Sequence, residues 1–116
     1  MLNDYCVNET YTIKEVLEQF ESNNDRVAIV IGKNEKVVGV VSQGDILRAL
    51  SSGIDIHTQI TQIISNSFLH LYTMNMEEAY KMFRKTKITL LPIVNQSNQL
   101  TDIITLDDIF AYLDKK

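Results

Sequence analysis

The chain matches itself when it is slid so that Asp45 falls on Asp108, a shift of 63 places (108 − 45), and this internal repeat limits its fold more than any other feature. Ile46 then falls on Ile109, Leu50 on Leu113, Ser42 on Thr105, and Val40-Val41 on Ile103-Ile104. Upstream, Thr10 meets Thr73, Glu15 meets Glu78, Phe20 meets Phe83 and Tyr5 meets Phe68, all without a gap. Two copies of one supersecondary unit are expected.

Each half reads alike. Thr12-Ile13-Lys14-Glu15 and Asn75-Met76-Glu77-Glu78 are capping-box patterns. Behind them Ile13, Val16, Leu17 and Phe20, and in the second half Met76, Ala79, Tyr80 and Phe83, keep the spacing of one helix face. "RVAIVI" (26–31) and "TLLPIV" (89–94) are short β-branched runs, each followed by a polar turn, "GKNEK" or "NQSNQ". A second strand, "VVGVVS" or "LTDIIT", then leads straight into a second helix, "QGDILRALSS" or "LDDIFAYLDK". The predicted fold class is α+β: two pseudo-twofold related α-β-β-α repeats, residues 1–53 and 66–116, packed through their small sheets and joined by a connecting segment, 54–65. About 50 residues bury too little apolar area to stand alone, so the halves are expected to pack together. Gly53 signals a turn, and the spacing of Ile56, Ile60, Ile63 and Ile64 predicts a short connecting helix. Pro92 removes a ladder donor, which predicts a sheet edge or strand end there.

Composition narrows the function. The 116 residues carry 11 Lys and Arg against 15 Asp and Glu, a net charge of −4, which offers no footprint for nucleic acid or an anionic membrane. Neither is expected as a partner. Apolar runs are too short to span a bilayer, and "MLNDYCVNE" lacks the regions of a secretion signal, so a cytoplasmic location is expected. Cys6 is the only cysteine, and it reads as a small buried side chain. His57 and His70 show no metal-ligand spacing, and no metal site is expected. Phosphate-loop, dinucleotide, serine-hydrolase and zinc-protease motifs are all missing, so no catalytic residues are assigned and no enzyme activity is expected of these residues.

The repeated pairs Ser42-x-x-Asp45 and Thr105-x-x-Asp108 have two readings. As capping boxes, the hydroxyl accepts a helical amide and the carboxylate reaches back. As ligand contacts, each stands at the positive end of a helix, where free amides favour phosphate. A carboxylate there can accept both hydroxyls of a ribose, while the Ser or Thr hydroxyl donates to a phosphate oxygen. Duplication at both strand-to-helix junctions is what brings a nucleotide into consideration.

With "GVVSQGDILRAL" and "LTDIITLDDIFAYL" in place, the chain closely resembles a tandem pair of cystathionine-β-synthase (CBS) domains, a Bateman module, over nearly its whole length. Its first half is similar to the CBS pairs that precede sugar-phosphate nucleotidyltransferase domains. The resemblance implies a regulatory module that binds AMP, ATP or another adenosine derivative in clefts between the repeats. It also implies a homodimer, no separate cofactor, and control of a linked or partner enzyme such as a nucleotidyltransferase. Carried over by position, Ser42 and Thr105 would be phosphate contacts and Asp45 and Asp108 ribose contacts. Pro92, within Leu91-Pro92-Ile93, would help wall the base; the first repeat has Ala28-Ile29-Val30 instead. Where the family often has a threonine in the opening strand, the gapless alignment puts Cys6 and Leu69. Arg26 stands where a basic phosphate contact sometimes lies, but it reads more readily as an exposed arginine, and its counterpart Thr89 is uncharged. A ligand-free dimerisation module is the alternative function.

Overall fold

A computed structural model describes residues 2–65 and 67–116, which divide into two units, 1–68 and 69–116. Among the described residues, each α-helix begins where a short polar side chain takes over an amide of the first turn. Thr12 starts α1 (Ile13–Gln19): its hydroxyl accepts the Glu15 amide at 3.2 Å, and Glu15 Oε1 accepts the Thr12 amide at 2.9 Å. Asn75 opens α3 (Met76–Lys85) by accepting the Glu78 amide at 3.0 Å, one of the two bonds of the predicted box. Ser42 and Thr105 cap α2 (Gln43–Ser51) and α4 (Leu106–Asp114) with reciprocal boxes.

In the first unit β1 (Cys6–Asn8) runs parallel to β2 (Val27–Ile31), which pairs antiparallel with β3 (Val37–Ser42). In the second, β4 (Leu90–Val94) pairs antiparallel with β5 (Leu100–Thr105). The repeat is exact through the two hairpins. Val27 faces Ser42 as Leu90 faces Thr105, and the register slips at Val30/Ile31 as it does at Ile93/Val94. The two polar turns share one left-handed position, Glu35 (φ 61°) and Asn98 (φ 66°), while Asn34 (φ 60°) is left-handed only in the first.

Each unit has its own apolar cluster. In the first, Val7, Ile13, Val16, Phe20, Val30 and Ile46 are buried together; in the second, Ala79, Phe83, Leu91, Ile104 and Ile109 are. Ile13, Val16, Phe20, Ala79 and Phe83 are helix-face positions read from the periodicity, while Leu17, Met76 and Tyr80 on the same faces are only partly buried. Each buried Val, Leu, Ile or Phe contributes roughly 1.5–3 kcal/mol. Among the described residues no helix is long and apolar enough to cross a membrane.

Two expectations change, the connecting helix and the gapless alignment, and one, at Pro92, is met. The connecting segment is not an α-helix: it runs through a turn at 56–57, an isolated bridge at Gln59 and one 3-10 turn, Ile60–Gln62. Two of its carbonyls are already committed, because the first amides of α1, Ile13 and Lys14, donate to Thr58 and Ile56 at 2.9 and 3.0 Å, and its Ile60 amide is committed to the Tyr11 carbonyl at 2.8 Å. Ile60 enters the first core with Ile63 and Ile64 packed against it, while Ile56 stays exposed.

Pro92 lies inside β4, an edge strand of its two-stranded sheet, as the missing ladder donor predicts. Leu71 donates to the Pro92 carbonyl at 3.1 Å, and Val94 donates to Leu71 at 2.9 Å, so the proline nitrogen also faces the segment before α3. A missing donor there limits that pairing to a single bridge, Leu71 to Ile93, where the first unit has a three-residue strand. The same bridge breaks the gapless alignment. Val7 pairs with Val30, and Leu71 pairs with Ile93, the counterpart of Val30. Leu71 therefore takes the place of Val7, and the counterpart of Cys6 is His70, not Leu69.

Candidate ligand-binding site

The first strand-to-helix junction is built by the end of the β2–β3 ladder. Arg26, just before β2, accepts the amide of Gln43, the first residue of α2, at 3.0 Å. Its own amide donates to Asn23 Oδ1 at 2.8 Å, and its φ of 52° places it in the left-handed region. Asn23 is buried, and its amide group also donates to the Asp4 carbonyl at 3.0 Å. Sequence reading passed over this asparagine, although "NNDR" carries a turn signal.

Ser42 Oγ accepts the Asp45 amide at 3.2 Å, and Asp45 Oδ2 accepts the Ser42 amide at 2.8 Å. The other carboxylate oxygen accepts from the Arg48 guanidinium, an exposed i, i+3 pair. With Gln43 and Asp45 amides engaged, the Gly44 amide has no acceptor among the described residues and is available to an anion.

The second junction repeats this frame. Leu106 donates to the Thr89 carbonyl at 3.1 Å. Asp108 donates its amide to Thr105 Oγ1 at 3.3 Å, while Asp108 Oδ2 accepts the Thr105 amide at 2.8 Å and its hydroxyl at 3.1 Å. Charge separates the two junctions. Arg26 and Arg48 flank the first, whereas the matching positions of the second hold Thr89 and Ala111, beside exposed Asp107 and Asp108. More positive charge therefore stands in sequence near the first junction than near the second.

Each hydroxyl is thus brought to its carboxylate, and both pairs are capping boxes in the folded chain. Arg26 joins the first junction through its backbone. Pro92 is fully buried, two residues along β4 from Leu90, the partner of Thr105. Burial pushes the Cys6 thiol up from its ordinary value, and the nearby Glu35 charge adds to this, so the thiol stays protonated at neutral pH. Among the described residues no group of three or more His, Cys, Asp or Glu is placed to hold a metal ion.

The chain matches the CBS domain family over residues 1–52 and 71–115, and it belongs to that family as a tandem pair. It is 27% identical over 92% of its length to an inosine-5'-monophosphate dehydrogenase of Nitrosopumilus maritimus, of which it covers 22%. It spans about a fifth to a third of the length of the first curated relatives it matches. Among solved structures, it resembles a CBS domain protein of Pyrobaculum aerophilum complexed with AMP, with a TM-score of 0.77 and 25% identity, covering 96% of this chain and 91% of that one. The CBS domains of a Streptococcus pneumoniae transcriptional regulator share the fold, with a TM-score of 0.79 and 22% identity over 94% of this chain and 89% of that one.

Proposed function

We propose that this CBS pair is a non-catalytic sensor of an adenosine nucleotide, AMP or ATP, acting in the cytoplasm. The observation that carries the reading is the duplicated hydroxyl–carboxylate pair at the start of α2 and α4. The AMP complex of the Pyrobaculum protein supports the ligand class. In this reading Ser42, Arg26 and the Gly44 amide receive phosphate at the first junction, and Asp45 serves the ribose there once Arg48 swings away. At the second, Thr105 serves the phosphate and Asp108, whose Oδ1 accepts no donor among the described residues, receives ribose hydroxyls, with Pro92 walling the base.

Nucleotide binding would then bias a linked or partner enzyme, by no more than its differential affinity for two states of the pair. The match to a dehydrogenase supports control of an enzyme; a nucleotidyltransferase is the partner class we propose from the first repeat's sequence. A homodimer is part of the same proposal, and dimerisation without a ligand is the competing function, favoured by the absence of threonine at Cys6 and His70. Isothermal calorimetry and a thermal-shift panel of adenine and guanine nucleotides decide between them. Saturating AMP or ATP should raise the melting temperature, because a ligand that binds only the folded state stabilises it by mass action. A flat panel and no binding heat would leave the assembly function.

A further inference from the structure

The first helices of the two repeats carry opposite charge at the same places. Under the shift of 63, Lys14, Glu18 and Glu21 fall on Glu77, Lys81 and Arg84, and all six side chains are exposed. Spaced i, i+4 and i+7, each set forms one stripe, running along α1 into the 3-10 turn Phe20–Ser22, and along α3. The signs invert at every position while the neighbouring core positions, Val16 and Ala79, stay apolar. Selection for solubility alone has no reason to reverse one stripe against its copy.

On α3, Lys81, Arg84 and Lys85 line a concavity of about 260 Å³. The Arg84 guanidinium lies over the Tyr80 ring at 5.5 Å, which fixes its position. A second pair of matched positions is apolar: Leu47 on α2 and Phe110 on α4, 56% and 54% exposed. Large apolar side chains left open at the same point of both repeats call for cover.

We infer that the basic stripe of α3 receives the acidic stripe of α1 from a second copy of this chain, Glu18 and Glu21 meeting Lys81 and Arg84. This rests on the dimer part of the functional proposal and is independent of any nucleotide. Each chain carries both stripes, so the contact is reciprocal: α1 of one copy takes α3 of the other, and the converse. Pairing α1 with α1 or α3 with α3 would set like charges together, which the sign pattern disfavours.

Sedimentation equilibrium on the full chain tests the inference. Wild type should form a dimer that weakens as ionic strength rises. Glu18→Lys/Glu21→Lys and Lys81→Glu/Arg84→Glu should each weaken it about tenfold or more. Mixing the two double variants should restore the dimer, and so should the fourfold variant that exchanges both stripes within one chain. Circular dichroism melts confirm that each variant is folded. A monomeric wild type overturns both the dimer and this contact. A dimer that is indifferent to both double variants, or is not restored by mixing, overturns the contact alone.

Discussion

The Arg26 carbonyl oxygen accepts the Gln43 amide at 3.0 Å, tying the residue before β2 to the first turn of α2. Thr89 and Leu106 repeat the bond at 3.1 Å. Each repeat thus closes the end of its hairpin onto the start of its last helix, where the capping pair stands. A basic side chain enters this frame only in the first repeat.

Asp108 serves as a cap and is proposed as a ribose contact, and two substitutions separate these roles. Asp108→Ala should lose about 1 kcal/mol of stability by removing the box and should weaken nucleotide binding about tenfold or more. Asp108→Glu keeps the Thr-x-x-Glu box and should hold the urea midpoint near wild type. Calorimetry should nevertheless find weaker AMP binding, because the longer side chain moves the carboxylate. Unchanged affinity in both variants would remove Asp108 from the site.

Arg26 holds a left-handed backbone that a side chain makes costly, by about 1–2 kcal/mol. Arg26→Gly should therefore keep stability or raise it by up to about 1 kcal/mol, and Arg26→Val should lower it. With the guanidinium gone, AMP should lose affinity while adenosine does not. Equal losses for both ligands would deny the residue a phosphate contact.

Gly39 sits beneath the connecting segment. A methyl group there would stand 2.8 Å from Ile64 Cδ1 and 3.1 Å from the Ser65 carbonyl oxygen, and the backbone oxygen cannot swing away as a side chain can. Gly39→Ala should cost about 1–3 kcal/mol in urea unfolding. The matching residue, Asp102, is exposed, and Asp102→Ala should change stability by less than about 0.5 kcal/mol.

Glu77, on α3, accepts the Tyr112 hydroxyl at 3.1 Å and lies 3.6 Å from the Lys116 ammonium. The tyrosine hydrogen bond first, then the lysine charge, hold its carboxyl below the ordinary value, and the same carboxylate raises Lys116. The sign follows: this contribution is present above the unfolded pKa of Glu77 and is lost as pH falls through its lower folded value. Carboxyl NMR titration should place the Glu77 midpoint below 4.5 in wild type and higher in Tyr112→Phe. A midpoint that stays put in the variant would assign the shift elsewhere.

Elements that depend on neighbours in the chain were legible without coordinates. Capping pairs act over three residues, helix faces over seven, and hairpins over one turn, so Thr12-Glu15, Ser42-Asp45 and Thr105-Asp108 declare themselves. The lead segment of the second repeat did not. Its pairing with β4 joins residues far apart in sequence: one missing N–H, at Pro92, shortens it, and the Leu71–Ile93 bridge makes His70 the counterpart of Cys6. The connecting segment misled for a similar reason: its isoleucines keep helical spacing, yet α1 takes its carbonyls before they can close a helical turn.

The sequence by itself determined the duplication, the helix-hairpin-helix order within each repeat and the family, because short-range capping and apolar periodicity survive in any context. Tertiary structure decided where Ile60 is buried, why Arg26 turns left-handed against buried Asn23, and that charge flanks only the first junction. Those outcomes depend on which distant amides and carbonyls meet, and a buried polar group must take whichever partner the fold presents to it.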